Sequence, residues 1–126
     1  MNSAANTRKS RNGYGLEKQF ASVTGLKKAM KDDKPEFTND KGDKQVVDFD
    51  FVIERDGKKI YFDLTTTYRS DRALQKAYNA VMCKTHHDAN SKFYIVAGDV
   101  PGPTLRTLHG LDGIISIESA IRMITG

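Results

Sequence analysis

The chain has 126 residues, a length that predicts a single domain built around one main core. Hydrophobic residues make up 38% and charged residues 29%, which excludes a disordered or fibrous chain and is typical of an ordinary soluble domain. No apolar run approaches the roughly 20 residues of a membrane span, and the polar, basic start lacks the apolar stretch of a secretory signal. Cys83 is the only cysteine, which excludes an internal disulfide and a cysteine-based zinc cluster, and favours a reducing, cytoplasmic location.

Charge is distributed unevenly along the chain, whose net charge is +4. Residues 1–31 contain seven basic residues and one acidic residue, residues 32–63 contain six and ten, and residues 64–126 contain seven and five. A basic exterior attracts a polyanion such as nucleic acid, whereas an acidic cluster inside it repels that polyanion unless a cation is bound there. The pattern is therefore what a metal-dependent nuclease needs. Solvated charge on surface loops is the alternative interpretation.

The N-terminal third is predicted to contain an arm and one helix. Residues 1–13 are rich in Asn, Ser, Arg and Lys and are expected to be a flexible basic arm, so that residues 14–126 make up the single domain. Helical spacing predicts a first helix from Leu16 to about Met30, with Leu16, Phe20, Val23 and Met30 on its apolar face. Gly25 lies inside this helix and could end it early.

A β-hairpin is the clearest local prediction. After a charged loop with a short edge strand at Glu36–Thr38, two apolar-rich runs cover Gln45–Glu54 and Lys58–Thr66. Asp56-Gly57 joins them, and this pair is typical of the two-residue turns in which both central residues have positive φ. We therefore expect two antiparallel strands at the centre of the chain.

The second half predicts helices that alternate with buried strands. Ser70-Asp71 offers an N-cap for a helix to about Thr85, whose apolar face would contain Leu74, Ala77, Tyr78, Val81 and Met82. Short apolar runs at Phe93–Ala97 and Gly113–Ile117 predict buried strands, residues 104–109 one or two helical turns, and Glu118–Thr125 a closing helix. This order predicts an α/β domain with a mixed central sheet and helices on both faces.

Three carboxylates on the hairpin form the candidate site. Asp48 and Asp50 are two residues apart and would share one face of the first strand, and Asp63 is on the partner strand. Facing side chains of paired antiparallel strands are about 5 Å apart, so two or three carboxylates would converge if the register is favourable. Two negative charges at that separation repel each other, so such a pair requires a bound cation or a raised pKa in one of the carboxyl groups. The alternative is a half-exposed hairpin whose acidic side chains are solvated.

The segment from Asp50 to Thr65 resembles the core of the PD-(D/E)XK nuclease superfamily, the restriction-endonuclease-like fold. The family pattern is an Asp that opens one strand, a short hairpin, and then Asp or Glu, any residue, and Lys. Asp50 corresponds to the first acid, with Asp48 as a competing assignment, and Asp63 corresponds to the second. Phe93–Gly98 and Leu111–Glu118 are similar to the end of type IIS restriction-enzyme cleavage domains.

The resemblance implies a restriction-endonuclease-like mixed sheet with flanking helices and a set of catalytic residues. Glu17 fits the Glu that the family often has on the preceding helix. Thr65 stands where the family has its lysine, which is taken to orient or activate the attacking water. Either a lysine from elsewhere, such as Lys84, replaces it, or the domain is weakened and only binds nucleic acid.

The expected chemistry is Mg²⁺- or Mn²⁺-dependent hydrolysis of a phosphodiester bond. Hard carboxylate oxygens favour these cations, and the expected ligands are Asp50 and Asp63 with Glu17 or Asp48. Basic side chains are expected to contact backbone phosphates, and the candidates are Arg8, Lys9, Arg11, Lys18, Arg69 and Arg72. The family usually has a Gln or Lys on the helix that follows the motif, and Gln75 and Lys76 lie there as further candidates for binding nucleic acid.

The leading functional hypothesis is an endonuclease that acts on nucleic acid, DNA rather than RNA, and has no membrane partner. Cleavage of both DNA strands would need two sites, which a homodimer would supply. A related hypothesis is a toxin nuclease domain that acts on DNA or tRNA and is held by an immunity protein. The hypothesis from a different class is a catalytically silent nucleic-acid-binding module, for which Thr65 is the main support.

Overall fold

The computed structural model describes residues 15–99 and 109–126. Within them the chain forms a mixed α/β fold with three α-helices, a four-stranded sheet and a two-stranded sheet. The predicted basic arm and most of the predicted helical turns at residues 104–109 lie outside the described residues. None of the helices in the described part of the chain has both the length and the apolar character needed to cross a bilayer.

The elements follow one another closely along the chain. Helix α1 covers residues 15–24, a 3₁₀ turn covers Lys31–Asp33, and the remaining elements are β1 (Glu36–Thr38), β2 (Lys44–Val46), β3 (Phe51–Arg55), β4 (Lys58–Thr65), α2 (Ser70–His86), β5 (Lys92–Ala97), β6 (Gly113–Ile115) and α3 (Ile117–Thr125). The order in the main sheet is β3-β4-β5-β6. The β3–β4 pair is antiparallel, and the other two pairs are parallel, so the sheet is mixed as predicted.

Helix α1 ends six residues before the predicted end at Met30, so that bound was wrong. The cause is Gly25, which has a φ of 75° and whose N–H donates to the carbonyl of Ala21. A left-handed residue at this position is the usual way in which a glycine ends a helix. Val23 and Met30 are therefore not parts of one buried face, and both are exposed.

The predicted hairpin is present, but the predicted strand Gln45–Glu54 is divided between two sheets. Asp56 and Gly57 have φ values of 55° and 75°, as a two-residue turn with two positive φ angles requires. Strand β2 pairs with β1 in the small sheet, and β3 pairs with β4 in the main sheet. Phe49 packs into the core on the α2 side and Phe51 into the core on the opposite side. The chain therefore bends between them, at Asp50.

Apolar cores cover both faces of the main sheet, which confirms the predicted helices on both sides. On one face, Tyr61, Phe93 and Ile95 pack with α2. On the other face, Phe51 and Phe62 pack with α1 and α3, and their neighbour in α1 is Phe20, whose ring centroid is 5.1 Å from that of Phe51. Because both faces are covered, strands β4 to β6 are almost entirely buried.

Helix α2 packs on the sheet mainly through small side chains, and the buried residues are Ala73, Ala77, Ala80 and Cys83. Of the predicted apolar face, Ala77 is buried and Met82 packs against the core, whereas Leu74 and Tyr78 are exposed. Small side chains let the helix axis approach the sheet closely, so long polar side chains beside this stripe can reach the strands. The predicted N-cap at Ser70-Asp71 was also wrong, because Arg69 occupies the N-cap position without a side-chain capping bond.

We expect Tyr61→Phe to stabilise the protein. The side chain is 1% exposed, and its hydroxyl has no hydrogen-bond partner among the described residues. A buried hydroxyl without a partner costs desolvation free energy, so its removal should raise the free energy of unfolding by about 1 kcal/mol. Urea denaturation measures the change. Tyr78→Phe is the matched control, because Tyr78 is exposed and should change stability by less than about 0.5 kcal/mol. A loss of stability in Tyr61→Phe would contradict the expectation.

Candidate active site

Asp50 and Asp63 lie next to each other where β3 begins. The antiparallel register of β3 and β4 begins at the pair Phe51 and Phe62, and Asp50 and Asp63 adjoin this pair. The Asp50 N–H donates to the carbonyl of Phe62 at 3.0 Å, and the Leu64 N–H donates to Asp50 Oδ2 at 2.8 Å, so Asp50 is bonded to β4 on both sides of Asp63. The hairpin therefore holds the first two candidate carboxylates in one region of the sheet.

The Asp50 carboxylate occupies an unfavourable position for a negative charge. Burial is the main cause that raises the pKa of Asp50 to about 7, and the charge of Asp63 acts in the same direction. The N–H of Leu64 donates to Asp50 Oδ2 at 2.8 Å, which opposes the rise. This bond also joins the side chain of Asp50 to the backbone of β4, so that its carboxylate stays next to Asp63.

Glu17 is the third carboxylate and comes from α1. It is one helical turn before Phe20, and residues three apart lie on the same side of a helix. Because Phe20 is buried against β3 and β4, this side of α1 faces the sheet. Glu17 contributes to the raised pKa of Asp50 both through its charge and through a side-chain hydrogen bond. The structure therefore brings Glu17, Asp50 and Asp63 into one cluster, which we call the acid cluster.

Lys28 borders this cluster, although no pattern in the sequence indicated a role for it. Its ammonium is 2.8 Å from Glu17 Oε2, and 57% of its side chain is exposed. The hydrogen bond to Glu17 is the main cause that raises the pKa of Lys28, and the charges of Asp50 and Asp48 add to the rise while burial opposes it. The neighbouring Ala29 N–H donates to the carbonyl of Asp50 at 2.7 Å, which anchors this loop. A lysine in a loop has no periodic signal that sequence reasoning could use.

Helix α2 contributes two cations on the other side of Asp63. Lys76 Nζ is 3.4 Å from Asp63 Oδ1 and donates to the carbonyl of Asp48 at 2.8 Å. Arg72 Nη2 is 3.4 Å from Asp63 Oδ2. Arg72 and Lys76 are four residues apart and so share one side of the helix. Only 13% of the Lys76 side chain and 9% of the Asp63 side chain are exposed, so this contact is shielded from water.

Thr65 lies two residues after Asp63 on β4 and Lys84 lies near the end of α2, and both side chains bond to groups outside the acid cluster. The Thr65 hydroxyl donates to the carbonyl of Thr67 at 2.9 Å. Lys84 donates to the carbonyl of Gly110 and to Asp112 Oδ2, at 3.0 and 2.9 Å. It is two turns along α2 from Lys76, a separation of about 12 Å. The lysine that contacts Asp63 is therefore Lys76 rather than Lys84.

Asp48, the competing assignment for the first acid, has a different environment. Its Oδ1 is 2.6 Å from Lys34 Nζ, and its side chain is largely exposed. The hydrogen bond to Lys34 is the main cause that lowers the pKa of Asp48, and the charges of Lys76 and Lys28 add to it while burial opposes it. Asp48 therefore has a counter-charge of its own, whereas Asp50 is the acid whose pKa the charge of Asp63 raises.

The other residues predicted to contact nucleic acid are distributed around this site. Arg8, Lys9 and Arg11 lie outside the described residues. Lys18 is exposed on α1, and Arg69 forms an exposed ion pair with Asp71. Gln75 lines a polar cleft of about 330 Å³ between β2 and α2, together with Arg72 and Lys76. The predicted residues of α2 are thus close to the acid cluster.

The donor atoms of the acid cluster are chemically suited to a hard divalent cation. Carboxylate oxygens are the ligands that Mg²⁺ and Mn²⁺ prefer, and a cation would relieve the repulsion between Asp50 and Asp63. Within residues 15–99 and 109–126, no three or more His, Cys, Asp or Glu side chains are already arranged to hold a metal ion. In these residues the counter-charges of the cluster are Lys28, Arg72 and Lys76.

A scan against protein-family models, a search of curated proteins and a search of solved structures found no match to this chain.

We expect Asp50→Asn to change how stability depends on pH. The usual pKa of this carboxyl is 3.8, and in the folded protein it is about 7. Between these values the folded state keeps a proton that the unfolded chain releases, so the contribution of Asp50 to stability falls as the pH rises. Asn keeps an acceptor for the Leu64 N–H and cannot ionise. Relative to wild type, the variant should therefore gain roughly 1–2 kcal/mol between pH 4 and pH 8, a figure reduced for the partial exposure of Asp50.

Denaturation across that pH range, with a chelator present, measures the difference. Asp40→Asn, which changes an exposed carboxylate to an amide, is the control for the substitution itself. If the two variants show the same pH profile, Asp50 does not have the raised pKa.

Proposed function

We propose that this protein is a divalent-cation-dependent nuclease that hydrolyses phosphodiester bonds at the acid cluster. The observation that carries the proposal is that Asp50 is hydrogen-bonded to β4 at Phe62 and at Leu64, on both sides of Asp63, in a partly buried position next to Glu17. A partly buried carboxyl whose pKa is raised by burial and by a neighbouring acid is costly to a fold, and sites of this kind are common in catalysis. The placement of the three acids is also what the resemblance to the PD-(D/E)XK superfamily implies.

The order of the elements supports a restriction-endonuclease-like fold as part of this proposal. A helix that carries Glu17 precedes the antiparallel pair β3–β4, and a crossover through α2 leads to the parallel strand β5. In this arrangement Asp50 is located where one strand of the hairpin begins, and Asp63 is near the end of the other strand. Both positions match those that the superfamily pattern assigns to its two acids.

Asp50 and Asp63 would hold Mg²⁺ or Mn²⁺, with Glu17 as a third ligand. The bound cation would supply charge neutralisation at the phosphate and a lower pKa for a bound water. The contribution of the chain is to keep Asp50 against β4 through the Leu64 N–H and to aim the side of α1 that carries Glu17 at the sheet. Release of Glu17 from Lys28 would be required for it to act as a ligand.

We assign to Lys76 the role of the motif lysine, which this chain lacks. In the superfamily the lysine stands two residues after the second acid, where this chain has Thr65. Lys76 reaches Asp63 from helix α2 instead, and it is fixed by the carbonyl of Asp48. An ammonium beside the second acid can orient a water molecule and stabilise negative charge that develops on a phosphate.

Nucleic acid is the substrate class that the charge distribution favours. The cations next to the acid cluster are Lys28, Arg72 and Lys76, and the first 31 residues of the chain add a strong basic excess. These charges would attract the phosphate backbone. DNA rather than RNA remains our expectation.

A catalytically silent binding module is the second candidate function. The observation that favours it is the ion pairing of the acid cluster, since Lys28 contacts Glu17 and Lys76 contacts Asp63. In such a module these ion pairs would be permanent, and nucleic acid would bind without being cut.

The variant Asp63→Asn distinguishes the two functions. We expect wild type to cleave plasmid DNA or single-stranded oligonucleotides with Mg²⁺ or Mn²⁺, and the variant to lose about 1,000-fold in rate because one metal ligand is lost. Asp32→Asn, which changes an exposed carboxylate in the 3₁₀ turn, should cleave like wild type. Binding of nucleic acid without cleavage in every metal would support the silent module instead, and equal cleavage by Asp63→Asn would exclude this site.

Two lysine variants on the same helix test which lysine takes part in cleavage. Lys76→Met should lower the cleavage rate about 100-fold, because the cation next to Asp63 is lost. Lys84→Met should keep the cleavage rate within about threefold of wild type and lower the free energy of unfolding by about 1 kcal/mol, because Lys84 bonds to Gly110 and Asp112. If Lys84→Met loses cleavage and Lys76→Met keeps it, Lys84 rather than Lys76 is the lysine that takes part in cleavage.

A further inference from the structure

The polar cleft next to the acid cluster has a composition that neither the charge pattern nor the catalytic proposal explains. It lies between β2 and α2 and has a volume of about 330 Å³. Three carboxamide side chains, those of Gln45, Gln75 and Asn79, line it. Gln75 and Asn79 are four residues apart on α2 and so lie on the same side of the helix. Gln45 and Gln75 are exposed and Asn79 is partly exposed, so all three carboxamides are accessible to a ligand.

The chemistry of this cleft suits a nucleobase better than a second phosphate group. A phosphate accepts hydrogen bonds only and requires donors or cations. The two cations at the cleft, Arg72 and Lys76, both contact Asp63, and Asp48 adds a carboxylate to the lining. Carboxamides both donate and accept, and this combination matches the hydrogen-bonding edge of a nucleobase. Val46, which is exposed at the cleft, adds an apolar contact for the body of the base.

The cleft is continuous with the acid cluster through Lys76. Its ammonium contacts Asp63 on one side and the carbonyl of Asp48 on the other, and both Lys76 and Asp48 line the cleft. A nucleotide whose base entered the cleft would therefore have its own backbone phosphate close to Asp63. A base that is stacked and paired inside a duplex cannot enter such a cleft, because its hydrogen-bonding edge and both its faces are already covered.

We propose that this cleft binds an unpaired nucleobase next to the phosphodiester that is cut, so that the preferred substrate is single-stranded or locally unpaired nucleic acid. The inference rests on the proposed nuclease function and adds the substrate class to it. Gln75 and Asn79 bind the edge of the base, and Gln45 approaches it from strand β2.

The first experiment compares a labelled oligonucleotide as a single strand and as a perfect duplex, in DNA and RNA forms, with Mn²⁺. Wild type should cut the single strand at least about tenfold faster than the duplex. The double variant Gln75→Ala/Asn79→Ala should lower kcat/KM on the single strand by about 10- to 100-fold, since hydrogen bonds to the base are lost. Its affinity for Mn²⁺ should equal that of wild type, which places the effect in substrate binding. Asn90→Ala, an exposed carboxamide in the loop before β5, is the matched control and should cleave like wild type.

The second experiment replaces single nucleotides around the mapped cut with abasic sites. One position should lower the wild-type rate by about as much as the double variant does, and the double variant should lose nothing further at that position, because the same contact is removed twice. Equal cleavage of duplex and single strand, or an unchanged rate in Gln75→Ala/Asn79→Ala, would overturn the cleft proposal and leave the nuclease proposal intact. Absence of cleavage by wild type in every substrate and metal would overturn both.

Discussion

The candidate site depends on the contacts that offset the electrostatic repulsion between Asp50 and Asp63. The two carboxylates lie next to each other where β3 begins, and burial and the charge of Asp63 raise the pKa of Asp50 to about 7. The fold tolerates the pair because the Leu64 N–H bonds to Asp50 and because Lys76 and Arg72 lie next to Asp63. An arrangement that costs stability and is nevertheless surrounded by positioned counter-charges is a reasonable place to locate chemistry.

The small-residue packing of α2 explains how the site acquires its cations. Alanines at positions 73, 77 and 80 bring the helix close to the sheet. Side chains beside this stripe then extend along the strands, so Lys76 reaches Asp63 and the backbone of Asp48 while Gln75 and Asn79 line the adjacent cleft. Catalysis and base binding would thus use neighbouring positions on one helix, and a change in how α2 sits on the sheet would affect both.

The acid cluster joins elements that are distant in the sequence. Glu17 comes from α1, Asp50 from the bend before β3 and Asp63 from β4, while Lys28 approaches from the loop that follows α1. The packing of Phe20 on Phe51 and Phe62 sets the side of α1 that faces the sheet. The same site therefore relies on core packing for Glu17 and on backbone hydrogen bonding for Asp50, so changes in either would alter the electrostatics of the cluster.

Local patterns in the sequence were sufficient for the hairpin, the order of helices and strands, and the antiparallel pairing of the two strands beside Asp50 and Asp63, because Asp56-Gly57 leaves few registers open. The cysteine content, the charge distribution and the carboxylate motif could also be recognised in the sequence alone. Contacts between segments that are distant in the sequence could not be predicted from it. Only the tertiary structure divided the run from Gln45 to Glu54 between two sheets, exposed Leu74 and Tyr78, and chose Lys76 over Lys84 as the partner of Asp63. These outcomes depend on how closely α2 approaches the sheet and on where the chain bends, and both are set by packing across the whole core rather than by neighbouring residues.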